Sequence, residues 1–309
     1  EVLGVAAGMH RQLSQKPDAH EDSVWAVDWT KGTNCIVTGG VDGKVKVWDP
    51  EDLKLKTVLH DDYLAVTSVS SSTDGKFVAS SSMDGLISVF DIATGKKMLS
   101  ISAGTVNVWT VAYSPLGDIL ATGTHAGNIN TWDLKTGKMI ESYQTGGNFT
   151  LSVAYSPDGN MFAGSTHDGV VSVFDNGGKL LHKLSGHKEP VRSIAFSPDS
   201  GSLLTASNDK HVRLFEMKKG QQVGTFSGHR SWVLDVAFNP AGSTCLSSSS
   251  DKKIRLWDLS TKEAIHTIDS HTDQVWSVAF DESGKKLASV SDNGSLVTNE
   301  IIAQSKGLK

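Results

Sequence analysis

An aromatic residue followed by an acid recurs along this chain at a nearly constant interval. Successive pairs lie 42 residues apart, with one interval of 41. The seven pairs, the last of them degenerate, are Trp48-Asp49, Phe90-Asp91, Trp132-Asp133, Phe174-Asp175, Phe215-Glu216, Trp257-Asp258 and Asn299-Glu300. So regular an interval predicts one supersecondary unit copied seven times, with repeats that end near residues 49, 91, 133, 175, 216, 258 and 300.

The sixth repeat shows the unit best. Residues 233–238 form a short apolar run, and the Asn-Pro-Ala-Gly that follows is typical of a turn, because Pro presets φ and Gly accepts the left-handed conformation. Residues 245–249, 254–257 and 264–268 indicate three further short strands. Seven units of four antiparallel strands predict an all-β, seven-bladed β-propeller. A closed ring is favoured over an open solenoid, which would need capping repeats.

The seventh repeat has no obvious fourth strand, because residues 304–309 are short and polar. We therefore expect residues 9–13, near the N-terminus, to pair as the outermost strand of blade seven and to close the ring. Residues 1–309 then form a single propeller domain. Residues 1–8 lack an initiator Met and are interpreted as a disordered or non-native start.

These repeats resemble the WD40-repeat family over about residues 17–300. A Ser-Pro turn that recurs at 114–117, 156–159 and 197–200 adds to the resemblance. The resemblance implies the propeller fold and closure of its ring by an N-terminal strand. It says little about function, because one fold hosts many functions.

Composition narrows the functional classes. The chain has 29 basic and 34 acidic residues and a net charge of -5, which argues against generic binding to nucleic acids or anionic membranes. Its two cysteines, Cys35 and Cys245, fall in the second strands of their repeats, and we expect them to be buried, reduced thiols. Since no apolar stretch reaches about 18 residues, no membrane span is predicted. We expect a soluble, intracellular protein.

A His, a Ser or Thr and an Asp recur with the aromatic residue of the repeat. The two complete sets are His20, Thr38, Asp42 and Trp48, and His229, Ser247, Asp251 and Trp257. Such a trio could activate a nucleophile, but a catalytic triad occurs once per site and this set recurs. The family resemblance implies instead a buried hydrogen-bond relay that joins the strands. We therefore predict no catalytic residue and no cofactor.

Metal binding is also disfavoured. The repeated histidines belong to different blades and are therefore far apart in a ring. His125 and His167 lie on one rim of adjacent blades and are the best candidate pair, but solvated polar residues are the favoured interpretation. We predict no metal site.

The family resemblance also implies a binding face. The second residue of each first strand is expected to point toward the narrow, or top, face of the propeller. Three of the eight tryptophans, Trp25, Trp109 and Trp276, fall at this position, and Trp232 lies two residues before it in its own repeat. Trp and Arg are common interface hot spots. The predicted protein-binding residues are Trp25, Trp109, Phe149, Leu151, Arg192, Trp232, Leu234 and Trp276. Packing of these tryptophans between blades is the alternative. Stacking on RNA is disfavoured, because it requires more surrounding basic residues.

Within the family, the chain resembles the WD40 subunits that the superkiller complex shares with the Paf complex. The segments that carry this resemblance are H-E-D-S-V-W (20–25), A-G-T-V-N-V-W-T-V-A-Y-S-P (103–115), A-T-G-T-H-A-G (121–127), S-W-V-L-D-V-A-F (231–238) and S-S-S-S-D-K-K-I-R-L-W-D (247–258). The resemblance implies a monomeric, non-catalytic propeller in a hetero-complex, active in mRNA decay and transcription elongation.

The implied partners are a tetratricopeptide-repeat subunit and an RNA helicase of the superkiller complex, and subunits of the Paf complex. Neither nucleic acid nor membrane is expected as a direct partner, and the implied location is nucleus and cytoplasm. A short partner segment with an Arg or Gln and an apolar anchor is expected to lie across the top face.

Three alternatives stay open. The first is another WD40 adaptor, such as a histone-tail reader or a ubiquitin-ligase adaptor; an acidic channel that binds Lys or Arg peptides would favour the histone reader. The second is a subunit like the β subunit of heterotrimeric G proteins, which is disfavoured because no coiled-coil helix precedes the repeats. The third is a propeller enzyme, which turnover without partners would support.

Overall fold

The structure, a computed structural model, describes residues 10–61, 64–104 and 108–302, without the side chains of residues 60 and 61. Strands are the only regular elements in this part of the chain, so no helix there could cross a membrane. The strands form seven antiparallel sheets of four strands each. The predicted all-β, seven-bladed propeller is therefore confirmed. The interpretation of residues 1–8 falls outside the described residues.

Blades one to four follow one another along the chain, each with its innermost strand first. Blade one contains β2 (Val24–Trp29), β3 (Ile36–Gly40), β4 (Lys44–Trp48) and β5 (Leu55–Asp61). Blade two contains β6 (Val66–Ser71), β7 (Phe77–Ser82), β8 (Leu86–Asp91) and β9 (Lys97–Ser102). Blade three contains β10 (Val108–Tyr113), β11 (Ile119–Thr124), β12 (Asn128–Asp133) and β13 (Met139–Gln144). Blade four contains β14 (Thr150–Tyr155), β15 (Met161–Thr166), β16 (Val171–Asp175) and β17 (Leu180–Leu184).

Blades five and six repeat this order, and blade seven takes its fourth strand from the start of the chain. Blade five contains β18 (Val191–Phe196), β19 (Ser202–Ser207), β20 (His211–Glu216) and β21 (Gln221–Ser227). Blade six contains β22 (Val233–Phe238), β23 (Thr244–Ser249), β24 (Ile254–Asp258) and β25 (Ala264–Ile268). Blade seven contains β26 (Val275–Phe280), β27 (Lys286–Ser291), β28 (Leu296–Ile301) and β1 (His10–Lys16).

The apolar core lies between the blades rather than at the centre of the ring. Each of seven buried clusters joins residues of two neighbouring blades. In the cluster between blades seven and one, Val24 and Trp48 pack in one group with Val290 and Leu296. A blade therefore completes its apolar contacts only against its neighbours, which is why a closed ring suits this sequence.

The ring is closed by β1, which pairs antiparallel with β28 from His10 opposite Ile301 to Lys16 opposite Leu296. The prediction of an N-terminal closing strand is confirmed. The strand extends to Lys16, beyond the predicted residues 9–13, and Met9 lies outside the described residues. The backbone N–H groups of Ala19 and His20 both donate to the carbonyl of Gly294, at 3.0 and 3.2 Å, so the two ends of the ring are also joined beyond the sheet.

Blade seven differs from the others at the position of the repeated aromatic residue. Asn299 occupies this position on β28 and is fully buried. Neither its amide nitrogen nor its amide oxygen has a hydrogen-bond partner among the described residues. Asn299 lies opposite Gln12 of β1 in the sheet. Because a buried polar group without a partner is destabilising, this blade relies on the closing strand more than on its own relay.

Candidate functional site

The first predicted relay runs across blade one as a chain of short hydrogen bonds. The indole N–H of Trp48 donates to Thr38 Oγ1 at 2.8 Å. The same oxygen lies 2.7 Å from His20 Nε2, and His20 Nδ1 lies 2.8 Å from Asp42 Oδ1. Because an indole can only donate, the threonine hydroxyl donates onward to Nε2 and leaves Nδ1–H for the carboxylate. Thr38 is fully buried, so its hydroxyl meets no substrate.

The relay of blade six has the same geometry. The indole N–H of Trp257 donates to Ser247 Oγ at 2.7 Å, and that oxygen lies 2.7 Å from His229 Nε2. The Nδ1 of His229 lies 2.9 Å from Asp251 Oδ2. Ser247 is fully buried. Both sets therefore join two strands of a blade, and the turn between them, to the loop that precedes the blade, as the relay interpretation predicts.

Partial relays hold three other blades. In blade seven the Nε2 of His271 lies 2.7 Å from Ser289 Oγ, without the Asp and the tryptophan. In blade three the indole N–H of Trp132 donates to Thr122 Oγ1 at 2.9 Å, without the His and Asp. In blade five His187 lies 2.7 Å from both Thr205 Oγ1 and Asp209 Oδ2, without the tryptophan. Where a repeat lacks one or two of the four relay residues, the remaining residues still form their hydrogen bonds.

The relays predict how stability depends on pH. Burial by itself would raise the pKa of Asp42, Asp209 and Asp251, but hydrogen bonds from their histidines and from backbone N–H groups hold each at about 2. Burial lowers the pKa of His271 from 6.5 to about 4. Both kinds of group have a lower pKa in the folded chain than in the unfolded chain. As the pH is lowered, the unfolded chain therefore takes up these protons at a higher pH than the folded chain does, and the free energy of unfolding decreases.

We expect a constant free energy of unfolding above pH 6.5 and a loss of about 3 kcal/mol through His271 between pH 6.5 and 4. A further loss follows as the pH falls from 3.8 toward 2. Urea unfolding at a series of pH values measures both. His271→Gln is the control, because it should flatten the first slope whatever it does to stability at neutral pH. An unchanged slope would contradict the assignment.

Every innermost strand carries a β-bulge at its second residue. The pairing register with the next strand shifts there in all seven blades. A bulge redirects a side chain out of the pleat. The seven bulge residues line one cavity of about 520 Å³ at the central channel: Trp25, Thr67, Trp109, Leu151, Arg192, Leu234 and Trp276. We call the end of the ring that carries them the top face.

Four half-buried aromatic rings form a continuous row on the top face, which we call the aromatic run. Trp25 lies between Trp276 and Trp109, with ring centroids 6.0 Å from each. Trp109 meets Phe149 edge-on at 5.4 Å. Such tilted and edge-on contacts are favourable for aromatic pairs. The rings are neither fully buried between the blades nor free of one another, and they present one apolar strip.

Polar contacts fix one end of the aromatic run. The indole N–H of Trp276 donates to Asp292 Oδ1 at 2.8 Å. The hydroxyl of Ser23, from blade one, donates to the same oxygen at 2.8 Å. The Trp276 ring is thus oriented by a carboxylate that also joins blades seven and one.

The other end of the aromatic run opens into a second cavity. This cavity of about 240 Å³ is lined by Met83, Val108, Trp109, His125 and Phe149. Met83 is 50% exposed and stands at its edge. Phe149 has a φ of 42°, in the left-handed region that bulky residues rarely adopt. Strained residues of this kind cluster at binding sites, so the cavity is a candidate receptor for an apolar side chain.

Trp232 lies apart from the aromatic run, beside Arg192. The guanidinium carbon of Arg192 lies 5.4 Å from the centroid of the Trp232 ring, and the tryptophan is 47% exposed. The Nε–H of Arg192 donates to Asn208 Oδ1 at 3.0 Å. The tryptophans therefore form two patches rather than the single patch that the sequence predicted.

Leu151 and Leu234 do not offer the exposed surface that we expected of them. Each is only 5% exposed. Both are bulge residues, and the bulge turns them into the wall of the channel, where neighbouring inner strands cover them. The two leucines therefore line the mouth of the channel and contribute little surface for a partner to contact.

The channel also holds a carboxylate that the sequence analysis overlooked. Asp235, on β22, is half-buried in the wall of the channel. It accepts hydrogen bonds from the hydroxyls of Ser193 and Ser277, at 2.6 and 2.8 Å. The N–H groups of Val236 and Val278 donate to it at 2.9 and 3.0 Å. Burial raises its pKa, and the four donors oppose that rise. Asp235 thus ties blades five, six and seven together. The sequence feature that could have revealed this site is an acid inside the otherwise apolar stretch V-L-D-V-A-F.

Candidate metal ligands are scattered. No group of three His, Cys, Asp or Glu side chains suited to a metal occurs in the part of the chain that the structure describes. His125 lies against Phe149, with ring centroids 4.5 Å apart. Cys35 and Cys245 are buried free thiols, as expected, although Cys35 lies one residue before β3 rather than within it.

Comparison with protein families identifies the repeats. Residues 52–300 match the family model described as the IFT122 first beta-propeller. Residues 11–49 match the model described as WD domain, G-beta repeat. Together the two matches cover nearly all of the described ring.

Curated relatives match over short segments. The meiotic recombination protein rec14 of Schizosaccharomyces pombe is 48% identical over 46 residues, 15% of either chain. The WD repeat-containing protein VIP3 of Arabidopsis thaliana is 38% identical over 74 residues, 23% of either chain. The WD repeat-containing protein SL1-17 of Schistosoma mansoni is 48% identical over 40 residues, 13% of either chain. The matched segments thus span less than a quarter of each relative's length.

Proposed function

Because the chain belongs to the WD40-repeat family of β-propellers, we propose that it is a non-catalytic scaffold that binds segments of partner proteins on its top face. The observation that carries this proposal is the aromatic run, Trp276, Trp25, Trp109 and Phe149, which offers one apolar strip. An apolar strip that stays partly exposed on a folded chain is typical of a partner site. The cavity of about 240 Å³ at its end has room for one apolar anchor.

The chemistry of this surface favours a protein partner over RNA. Single-stranded RNA binds where aromatic rings are surrounded by basic groups that follow the backbone. Here the aromatic run ends in an apolar cavity at one side and at Asp292 on the other, and the whole chain carries a net charge of -5.

We assign the scaffold to the superkiller complex, which acts in exosome-linked 3′-to-5′ mRNA decay, and to the Paf complex, which acts in transcription elongation and histone modification. Support comes from the segments that resemble those subunits, because three of them contain site residues: Trp25 in 20–25, Trp109 in 103–115, and Trp232 in 231–238. The proposed partners are the tetratricopeptide-repeat subunit and RNA helicase of the first complex and subunits of the second. The proposed location is nucleus and cytoplasm.

A second candidate is suggested by a relative. The segment that is 48% identical to the meiotic recombination protein rec14 favours a role in a recombination complex. The same top face would serve that role, since a scaffold can present one surface to different partners.

Replacing Trp109 and Trp276 together with Ala is expected to abolish partner capture and to leave the melting temperature nearly unchanged. Each Trp is an interface hot spot, and removing one costs about 2 kcal/mol or more of binding energy. The measurement is an affinity pull-down from a lysate of the source organism, read by mass spectrometry. Recovery of a tetratricopeptide-repeat protein and a helicase, or of Paf-complex subunits, by the wild type alone supports the proposal.

Met139→Ala with Ile140→Ala is the matched control. These residues are 52% and 50% exposed on the outer strand β13, so the control removes apolar surface away from the top face. It should capture the same partners as the wild type. Recovery of recombination proteins instead would favour the second candidate. Recovery of none of these would refute the assignment, and unfolding of the double tryptophan variant would show that both rings are core.

A further inference from the structure

Arg192 is a half-buried cation of the top face that forms no ion pair with any described carboxylate. Its Nε–H is used by Asn208, and its Nη atoms have no hydrogen-bond partner among the described residues. Burial lowers the pKa of Arg192, and no carboxylate opposes that shift. A guanidinium keeps its charge even so, and a partly desolvated charge without a counter-ion is unfavourable. In the absence of a partner, the positive charge of Arg192 is therefore not balanced by a described carboxylate.

Two acids whose neighbours contact or adjoin Arg192, Asp209 beside Asn208 and Asp235 beside Ser193, are already engaged elsewhere. Asp209, on the same blade, is bound by Arg213 at 2.8 Å and by His187. Asp235, in the channel, accepts four hydrogen bonds within the ring. Neither carboxylate is available to neutralise Arg192. The contrast with Arg213, which has its own aspartate, distinguishes Arg192 from an ordinary structural arginine.

The guanidinium is also held in a fixed orientation. Asn208 binds its Nε edge, and the ring of Trp232 lies 5.4 Å from its carbon atom. The edge that carries the two Nη atoms is the part that remains for a ligand. That edge fits the two oxygens of a carboxylate, because two parallel N–H···O bonds match its geometry. A phosphate would favour a cluster of arginines, and among the described contacts Arg192 is the one arginine that meets Trp232 and Asn208.

We propose that Arg192 and Trp232 form a subsite for one carboxylate of the partner segment, supplied by an Asp or Glu side chain. This inference rests on the proposed function, because it concerns the same top face. The apolar anchor of the segment lies on the aromatic run, and its acidic residue lies at Arg192. The Arg or Gln expected in such a segment belongs away from Arg192, which would repel an arginine.

A random peptide library selected on the immobilised protein tests this. Peptides enriched by the wild type should carry Asp or Glu at a fixed distance from an aromatic or aliphatic residue. Arg192→Gln should weaken binding of these peptides at least about ten-fold, since removing one partner of a desolvated charge pair mainly raises the dissociation rate. Arg192→Glu should select peptides with Lys or Arg at that position instead. A second library with a blocked C-terminus separates side-chain carboxylates from terminal ones.

Lys218→Glu is the matched control for net charge. Lys218 is exposed in the turn between β20 and β21, at the opposite end of blade five, and its reversal should leave the selected peptides unchanged. Enrichment of terminal carboxylates alone would overturn the side-chain assignment. Identical apolar peptides from wild type and Arg192→Glu, lost in Trp109→Ala, would overturn the subsite and keep the proposed function. Peptides that bind regardless of Trp109, or no peptides at all, would overturn both.

Discussion

A chain without residues 1–16 is expected to melt roughly 10 °C below the full chain. The deletion removes β1, which supplies the outer strand of blade seven and pairs with β28 from His10 to Lys16. Lost backbone hydrogen bonds at about 1 kcal/mol each would amount to several kcal/mol. The deletion also opens the edge of β28, the strand on which the amide of Asn299 has no hydrogen-bond partner among the described residues. An open edge favours association, so the shortened chain should also form oligomers.

A chain without residues 1–9 is the control, because it keeps all of β1, and it should melt like the full chain. Calorimetry measures the melting temperatures, and light scattering the oligomers. A synthetic peptide of residues 10–16 added to the shortened chain should restore its melting temperature with increasing dose. If the chain without residues 1–16 melts like the full chain, the ring does not depend on this strand.

The propeller could be predicted because its signals are local and repeated. Each turn and strand of the sixth repeat is determined by residues within one stretch of about 42, and a similar pattern recurs in the other blades. The relays could be predicted for the same reason, since His229, Ser247, Asp251 and Trp257 belong to one repeat. Closure followed from counting strands, although the extent of β1 up to Lys16 did not, because its side chains are largely polar and exposed.

The exposure of the top-face residues could not be predicted, because it depends on contacts between blades. The bulge at Leu151 and Leu234 gives them the same backbone position as Trp25 and Trp109, yet both leucines are buried. A short side chain fits into the channel wall, whereas an indole is too large to be covered there. The position of Trp232 likewise involves a contact between blades, because its neighbour Arg192 belongs to blade five.

Asp235 was overlooked for a related reason. The two serines that donate to it belong to the blades on either side, each 42 residues away in sequence. No pattern within one repeat shows them together. The sequence does show that Asp235 departs from the repeat pattern. The equivalent position is Ala26 in blade one and a Ser or Thr in the other blades. An acid at one position of a repeated small residue indicates a contact between repeats.

Asp235→Ala is expected to lower the free energy of unfolding by roughly 1–3 kcal/mol, because it leaves hydroxyl and backbone N–H donors without their acceptor. The donors concerned are the hydroxyls of Ser193 and Ser277 and the N–H of Val278. A hydroxyl can rotate toward another acceptor, but a backbone N–H cannot. Guanidinium unfolding at neutral pH measures the loss. Because the site ties three blades together, the unfolding transition should stay cooperative while its midpoint falls.

Two further substitutions separate the loss of acceptors from the loss of volume. Asp235→Asn keeps the shape but replaces one acceptor oxygen with a donor, so it should be nearly as destabilising as Ala. Asp235→Ser introduces the residue of blades five and seven, whose hydroxyl can accept from Val278 N–H, so its loss should be smaller. Ser152→Ala is the control at the equivalent position of blade four, where the hydroxyl accepts one bond of 3.3 Å from Ile194 N–H, and it should cost under about 1 kcal/mol. Equal losses for Asp235→Ala and Ser152→Ala would mean that the carboxylate is not what joins the blades.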